Sequence, residues 1–143
     1  MSILKTYDSK AVAMIFAGIP ISGLAEDSFV NVAQNEDSFT LTVGADGEGA
    51  RAKTNNRSAR VTFTVLQTSA CNDLLAALHL ADLASPNGDG IGPLLIKDTS
   101  GRTLVTAEKA WIIKSPDVQL GKNINTRDWV IETHAIAIFA GGN

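Results

Sequence analysis

Two stretches of this chain alternate apolar and polar residues with a strict period of two. Ser38–Val43 sets Phe39, Leu41 and Val43 against Ser38, Thr40 and Thr42; Ala59–Leu66 sets Val61, Phe63 and Val65 against Arg60, Thr62 and Thr64. Side chains along a strand point to opposite faces in turn, so each stretch predicts an antiparallel strand with one buried and one solvated side. The first is followed by a Gly-rich turn, Gly44-Ala-Asp-Gly-Glu-Gly49. The expectation is that the two stretches are the arms of one hairpin, with Gly44 to Ser58 protruding between them as a long polar loop. Loops of that length in compact domains are usually functional or disordered.

The same region is sorted by charge. From Ser22 to Glu48 it carries Glu26, Asp27, Glu36, Asp37, Asp46 and Glu48 and no base; from Gly49 to Asn72 it carries Arg51, Lys53, Arg57 and Arg60 and no acid. An acidic arm beside a basic arm is a two-signed surface able to bind copies of itself.

The remaining segments are mostly short strand patterns separated by turn signals. They comprise Ala11–Ala17, Phe29–Ala33, Leu94–Lys97, Thr103–Ala107, Ala110–Lys114 and a long apolar Trp129–Ala140, with Asp117–Gly121 either loop or short strand. Trp129–Ala140 exceeds the usual strand of about 5–6 residues, so it is expected to bend or to lie inside a sheet. One helix stands out over residues 70–84, with Ser69 as N-cap, Asp73 in the first turn and Pro86-Asn-Gly88 as the stop. Helical spacing puts Cys71, Leu74, Leu75, Leu78 and Ala81 on one face. Leu80 and Leu83 fall on the opposite side, where they are candidates for contact with a neighbouring subunit. The predicted fold is mainly β: an antiparallel sandwich or barrel with one flanking helix, residues 1–143 forming a single domain.

Composition narrows the function. With 143 residues, 45% of them hydrophobic, the chain is long enough and apolar enough for a real core. A net charge of −3 argues against holding nucleic acid by phosphate neutralisation. The basic run also lacks interleaved aromatic residues. The single cysteine, Cys71, excludes an intrachain disulfide and is expected to be a small core residue. The N-terminus lacks a signal-peptide layout, and Ala11–Gly23 is too short to span a bilayer, so a soluble protein without membrane insertion is expected.

Searches for chemistry return little. The Gly44–Gly49 turn lacks the Gly-Lys-Ser/Thr ending of a phosphate loop. Ser85, Asn87, Asp89 and Gly90 match the start of a calcium loop, but Ile96 stands where a bidentate Glu is required. His79 and His134, the latter near Glu132, are too few for a metal site without ligands from elsewhere. No nucleophile elbow is present, and Asp27, Glu36 and Asp37 read as solvated loop acids. The expectation is no enzyme, no cofactor and no metal.

A set of short words nevertheless recurs in order along the chain: Thr6-Tyr-Asp8, Gly18-Ile-Pro-Ile-Ser-Gly23, Asn35-Glu-Asp-Ser-Phe39, Val43-Gly-Ala-Asp-Gly-Glu48, Leu66-Gln-Thr-Ser69, Gly92-Pro-Leu-Leu-Ile-Lys-Asp98, Arg127-Asp-Trp129 and Phe139-Ala-Gly-Gly-Asn143. Together they resemble the tail tube proteins of contractile-tailed bacteriophages over nearly the full length. The resemblance implies hexameric rings whose sheets join into an inner β-barrel. Such rings stack into a tube that DNA crosses during ejection. It also implies sheath, baseplate and tail-terminator partners, a place in the virion tail, and assembly in the host bacterial cytoplasm. Tubes of related fold occur in R-type bacteriocins and type VI secretion.

On that resemblance, Asp46, Glu48, Arg51, Lys53 and Arg57 are candidates for contact between rings. Thr40, Thr42, Thr62 and Thr64 are candidates for the lumen wall, expected to be polar and acidic or neutral so that DNA slides without specific binding; the alternative puts these faces on the outer surface. Deleting Gly47–Asn56 is expected to leave a folded subunit that cannot polymerise. The rival reading is a small β-sandwich that binds a ligand or protein through its loops.

Overall fold

The computed structural model describes residues 4–26 and 29–142. Its strands are β1 (Val12–Phe16), β2 (Ile19–Pro20), β3 (Val30–Gln34), β4 (Phe39–Val43), β5 (Gly49–Lys53), β6 (Ala59–Leu66), β7 (Gly92–Asp98), β8 (Leu104–Lys114), β9 (Thr126–Thr133) and β10 (Ile136–Phe139). The helix α1 spans Cys71–Ala84.

Eight strands form one antiparallel sheet in the order β2-β1-β7-β8-β9-β6-β3, with β10 also on β8. The β1–β2 hairpin turns at Ala17-Gly18, where φ is 51° and 81°. Two successive positive φ values match the right-handed twist of the flanking strands, the reason such two-residue turns are favoured. Pro20, which has no N–H to donate, sits on this edge.

The expected long final strand bends, and its first part, β9, is internal to the sheet. Ala110 pairs with Thr133 and Ala107 with Ile136, so β9 and β10 hold one register along β8 on either side of His134-Ala135. The other side of β9 pairs with β6 from Ala59↔Thr133 to Leu66↔Thr126. The two segments expected at 103–107 and 110–114 are one strand, β8, bulged near Ile113.

One face of the sheet is the core. Val61, Phe63, Val65, Leu94, Ile96, Trp129 and Ile131 alternate inward, and Phe16, Val61, Phe63, Val65 and Ile131 are fully enclosed. Each such side chain stabilises the fold by about 1.5–3 kcal/mol relative to exposure. The sheet curls so that Val30 and Val32 of β3 line one cavity with Val12, Ile96, Val105 and Ile138 of β1, β7, β8 and β10. Helix α1 lies against β2 and β8 and buries Cys71, Asn72, Leu75 and His79.

Two details of the helix differ from expectation. Leu74 and Ala81 are exposed, whereas Asn72 and His79 are buried. Asn72 faces inward because its amide is fully engaged: it accepts from Trp129 Nε1 and donates to the Leu66 and Gln67 carbonyls. The N-cap is Ala70, whose side chain cannot cap. Ser69 Oγ instead donates to the Ser22 carbonyl at 2.6 Å and lies 3.4 Å from the Cys71 N–H.

The largest correction concerns the two alternating segments. They are not partners. β6 pairs with β3, Val30↔Phe63 through Gln34↔Ala59, while β4 pairs with β5, Phe39↔Lys53 through Val43↔Gly49. The stretch 44–58 is therefore not a long loop. It holds a tight turn, the strand β5 and a short connection to β6. The physical reason lies at Ala45-Asp46-Gly47. Gly47 takes φ 89°, the Gly44 N–H donates to the Glu48 carbonyl at 2.7 Å, and Asp46 Oδ1 accepts from the Glu48 N–H, which closes a three-residue hairpin turn at once.

Candidate assembly surface

The β4–β5 hairpin forms a two-stranded sheet of its own, and every residue in both strands is exposed. Directly opposed residues of an antiparallel pair share a face. One face therefore carries Phe39, Leu41 and Val43 together with Lys53, Arg51 and Gly49; the other carries Thr40 and Thr42 with Ala52 and Ala50. The first is an apolar stripe edged with positive charge. Leu41 is 72% exposed, and the Arg51 guanidinium lies 4.2 Å from the Phe39 ring centroid. That cation–π contact fixes the Arg51 head over the stripe.

The apolar side of β4, expected to be buried like that of β6, is thus uncovered in the subunit. The hairpin is anchored at its base. Thr54 N–H donates to the Ser38 carbonyl, Thr54 Oγ1 to Glu36, and Asn35 N–H to the Ser58 carbonyl. Asn35 Nδ2 also donates to Ser58 Oγ and to Glu132.

The sorted charges separate into engaged and free groups. Arg60 pairs with Glu132, Nε to Oε2 3.3 Å, and among the described residues it alone of the four bases forms an ion pair within its subunit. Arg51, Lys53 and Arg57 stand exposed, the first two on the hairpin and the third on the connection to β6. Asp46 and Glu48 sit at the exposed hairpin tip. Asp27 lies outside the described residues.

The threonine candidates divide between two places. Thr40 and Thr42 are exposed on the hairpin, whereas Thr62 and Thr64 are half-buried on the outward face of β6. Thr64 Oγ1 donates to Asp128 at 2.7 Å, and Thr62, Asp128 and Val130 line a shallow cleft with Lys114, Asp117 and Gln119. On helix α1, Leu80 and Leu83 are 64% and 70% exposed. Glu132, the acid nearest His134 in sequence, is committed to Arg60 and Asn35. No group of three or more His, Cys, Asp or Glu able to hold a metal is formed among the described residues.

A further apolar surface, missed in the sequence, lies between β8 and β9, where Val118, Leu120 and Ile124 are exposed. The signal for it was Val118 and Leu120, apolar residues in a stretch that reads as either loop or short strand.

A chain with uncovered apolar surface on a hairpin, a helix and a loop is built to be covered by other molecules. Comparison with known proteins shows the family. The family model described as the bacteriophage PhiTE tail tube protein matches residues 15–141. The chain belongs to that tail tube family. Members of the tail tube family are structural parts of the phage tail, not enzymes. The chain is 41% identical over 123 residues to the structural protein ORF10 of Pseudomonas phage KPP10, covering 86% of this chain and 71% of that protein.

Among solved structures the tube-terminating cap of the anti-feeding prophage is similar in fold, with a TM-score of 0.61 at 7% identity over 97% of this chain and 94% of that chain. The sheath/tube terminator of an extracellular contractile injection system matches with a TM-score of 0.61 at 9% identity over 97% and 100% of the two chains. A chain of the virion of a native gene transfer agent particle matches with a TM-score of 0.55 at 11% identity over 94% and 100%.

Proposed function

We propose that residues 1–143 act as one tail-tube domain that assembles into stacked hexameric rings, forming the inner tube of a contractile phage tail through which DNA passes during ejection. Family membership supports the tube. The observation that carries self-assembly is the β4–β5 hairpin, which holds Phe39, Leu41 and Val43 beside Arg51 and Lys53 on a face its own fold leaves exposed.

In this proposal the hairpin reaches the adjacent ring. Arg51, Lys53 and Arg57, with Asp46 and Glu48 at the tip, make the polar contacts there. Exposed ion pairs contribute only about 0–1 kcal/mol each, so the apolar stripe and repetition around the ring supply most of the affinity. The free edges of the sheet join those of neighbours in the ring, which removes the exposed-edge liability. Thr62 and Thr64, with Thr40 and Thr42 on the hairpin, contribute to the lumen wall. The outward face of β6 and β9 suits DNA passage, since Arg60 is neutralised by Glu132 and Asp128 adds one acid. Sheath, baseplate and tail-terminator proteins are the proposed further partners, with assembly in the host bacterial cytoplasm and residence in the virion tail.

Negative-stain microscopy of the purified chain tests this, with light scattering on the same sample. Rings and hollow filaments are the expected result; a monomer at every concentration would overturn the proposal.

A further inference from the structure

Helix α1 is unusual in what its outer side lacks. Its sequence, Cys71–Ala84, contains no lysine or arginine. At 100° per residue, Asp73, Ala76, Ala77, Leu80, Leu83 and Ala84 fall on one stripe. All six are exposed. From Asp73 to Ala84 this stripe runs about 16 Å at the helical rise. It is flat where the alanines stand, raised at the two leucines, and acidic at the N-terminal end.

The apolar face of the β4–β5 hairpin complements it. Five-residue strands extend about 17 Å, close to the length of the stripe. The hairpin face has three apolar side chains and two bases, Arg51 and Lys53, and no acid among its paired positions. The helix stripe has two leucines, three alanines and one acid, Asp73. Two alternatives fit less well. The 115–125 segment presents Val118, Leu120 and Ile124 with Asp117 but also carries Lys122, and the exposed Phe139 of β10 lies near Arg102.

We propose that the apolar, basic face of the hairpin of one copy docks lengthwise on the outer stripe of α1 of a second copy, with Arg51 or Lys53 meeting Asp73 and Leu41 meeting Leu80. The occupant of both surfaces is this same chain. Because hairpin and helix stripe are different surfaces, the contact is head-to-tail, and a docked pair still offers one free hairpin and one free helix. The contact rests on the tube assembly proposed above and names the partner surface of its hairpin.

The test is site-directed cross-linking in the full chain. Leu41→Cys combined with Leu80→Cys, both at exposed positions, is treated with a short bismaleimide after assembly. The expected product is a ladder of covalent multimers on a denaturing gel. Leu41→Cys alone, which also controls for the buried Cys71, and Leu41→Cys with Leu120→Cys are expected to give none. Tubes that form normally in the Leu41→Cys, Leu80→Cys variant yet give no ladder overturn this contact and leave the tube proposal standing. A ladder from particles that are not tubes supports the contact and sinks the tube.

Charge exchange gives an independent readout. Arg51→Asp and Asp73→Arg singly are each expected to cut polymer yield at least tenfold, and the double exchange to recover most of it. A double variant no better than either single one counts against the pairing.

Discussion

Trp129 Nε1 donates to Asn72 Oδ1 at 2.9 Å, and this buried bond joins the first turn of helix α1 to the middle of the sheet. Asn72 Nδ2 in turn holds the Leu66 and Gln67 carbonyls at 3.0 and 3.3 Å. One side chain thereby ties the helix to β9 and to the end of β6. Replacing Asn72 with Ala strands an indole N–H and takes a donor from the Gln67 carbonyl, whereas the Leu66 carbonyl keeps the Ser69 N–H. The expected loss is about 2–4 kcal/mol, because a buried polar group left without its partner costs about 1–3 kcal/mol. Urea unfolding of an assembly-incompetent subunit measures it. A loss below ~0.5 kcal/mol would show that water or rearrangement satisfies these groups.

Removing the hairpin is a sharper assembly test than deleting Gly47–Asn56, which would leave β4 without its partner strand. Asn35 and Ser58 already meet at the base, N–H to carbonyl 3.2 Å. Replacing residues 36–57 with Asn-Gly is expected to give a folded monomer whose circular dichroism stays close to that of the parent subunit and whose thermal midpoint falls modestly, since the Ile136 N–H loses its bond to the Arg57 carbonyl. Filaments of normal appearance from this variant would refute the role assigned to the hairpin.

Leu80 and Leu83 contribute little to the isolated subunit. Changing both to Ser should shift its unfolding free energy by no more than about 0.5 kcal/mol per site, as for other surface substitutions. Polymerisation should suffer far more, since burying a leucine is worth about 1.5–3 kcal/mol. The critical concentration measured by sedimentation is expected to rise at least tenfold. A large fall in subunit stability would instead place these leucines in the fold.

The four bases are not equivalent. Arg60 is paired with Glu132, so Arg60→Gln is expected to change both stability and assembly only slightly, in keeping with about 0–1 kcal/mol for an exposed pair. Arg51→Gln, Lys53→Gln and Arg57→Gln should each weaken polymerisation and reduce its sensitivity to salt. Equal effects at all four positions, compared by sedimentation at low and high salt, would contradict the assignment.

Gly92 packs against the β1–β2 turn, where an added Cβ would lie 2.5 Å from Ala17 Cβ and 2.9 Å from Ala17 Cα. The second atom is backbone and cannot swing aside. Gly92→Ala is therefore expected to destabilise by about 1–3 kcal/mol, as overpacking does. A thermal melt unchanged within error would show that the turn moves freely.

The antiparallel sheet and the helix were legible in the sequence because period two, period 3.6 and turn residues each have a direct geometric cause. Strand pairing was less so. β4 and β6 carry the same alternation, and a period reports that one face is apolar without saying what covers it. For Val61, Phe63 and Val65 the cover is the core; for Phe39, Leu41 and Val43 the subunit supplies none. β5 escaped notice because Gly49-Ala-Arg-Ala-Lys53 lacks the β-branched and aromatic residues of a typical strand. It is a strand because a tight turn lays it beside β4. On the helix, hydrophobicity favoured Leu74 over Asn72 as an inward residue, yet burial follows hydrogen bonding as well as apolarity, and Asn72 has three partners.

Seen from the core, the β4–β5 hairpin is an insertion. β3 and β6 already pair down to Gln34↔Ala59, and the excursion between them adds nothing to that ladder. Its length, charge and apolar stripe are free to diverge at little cost to the stability of the large sheet. Under the proposed assembly, a mutation there changes which neighbour the subunit accepts, whereas a mutation in β6 or β9 changes whether there is a subunit at all. The hairpin is consequently the natural unit to transplant between related tubes, and a chimaera carrying a foreign hairpin should keep its own fold while taking on the donor's choice of neighbour.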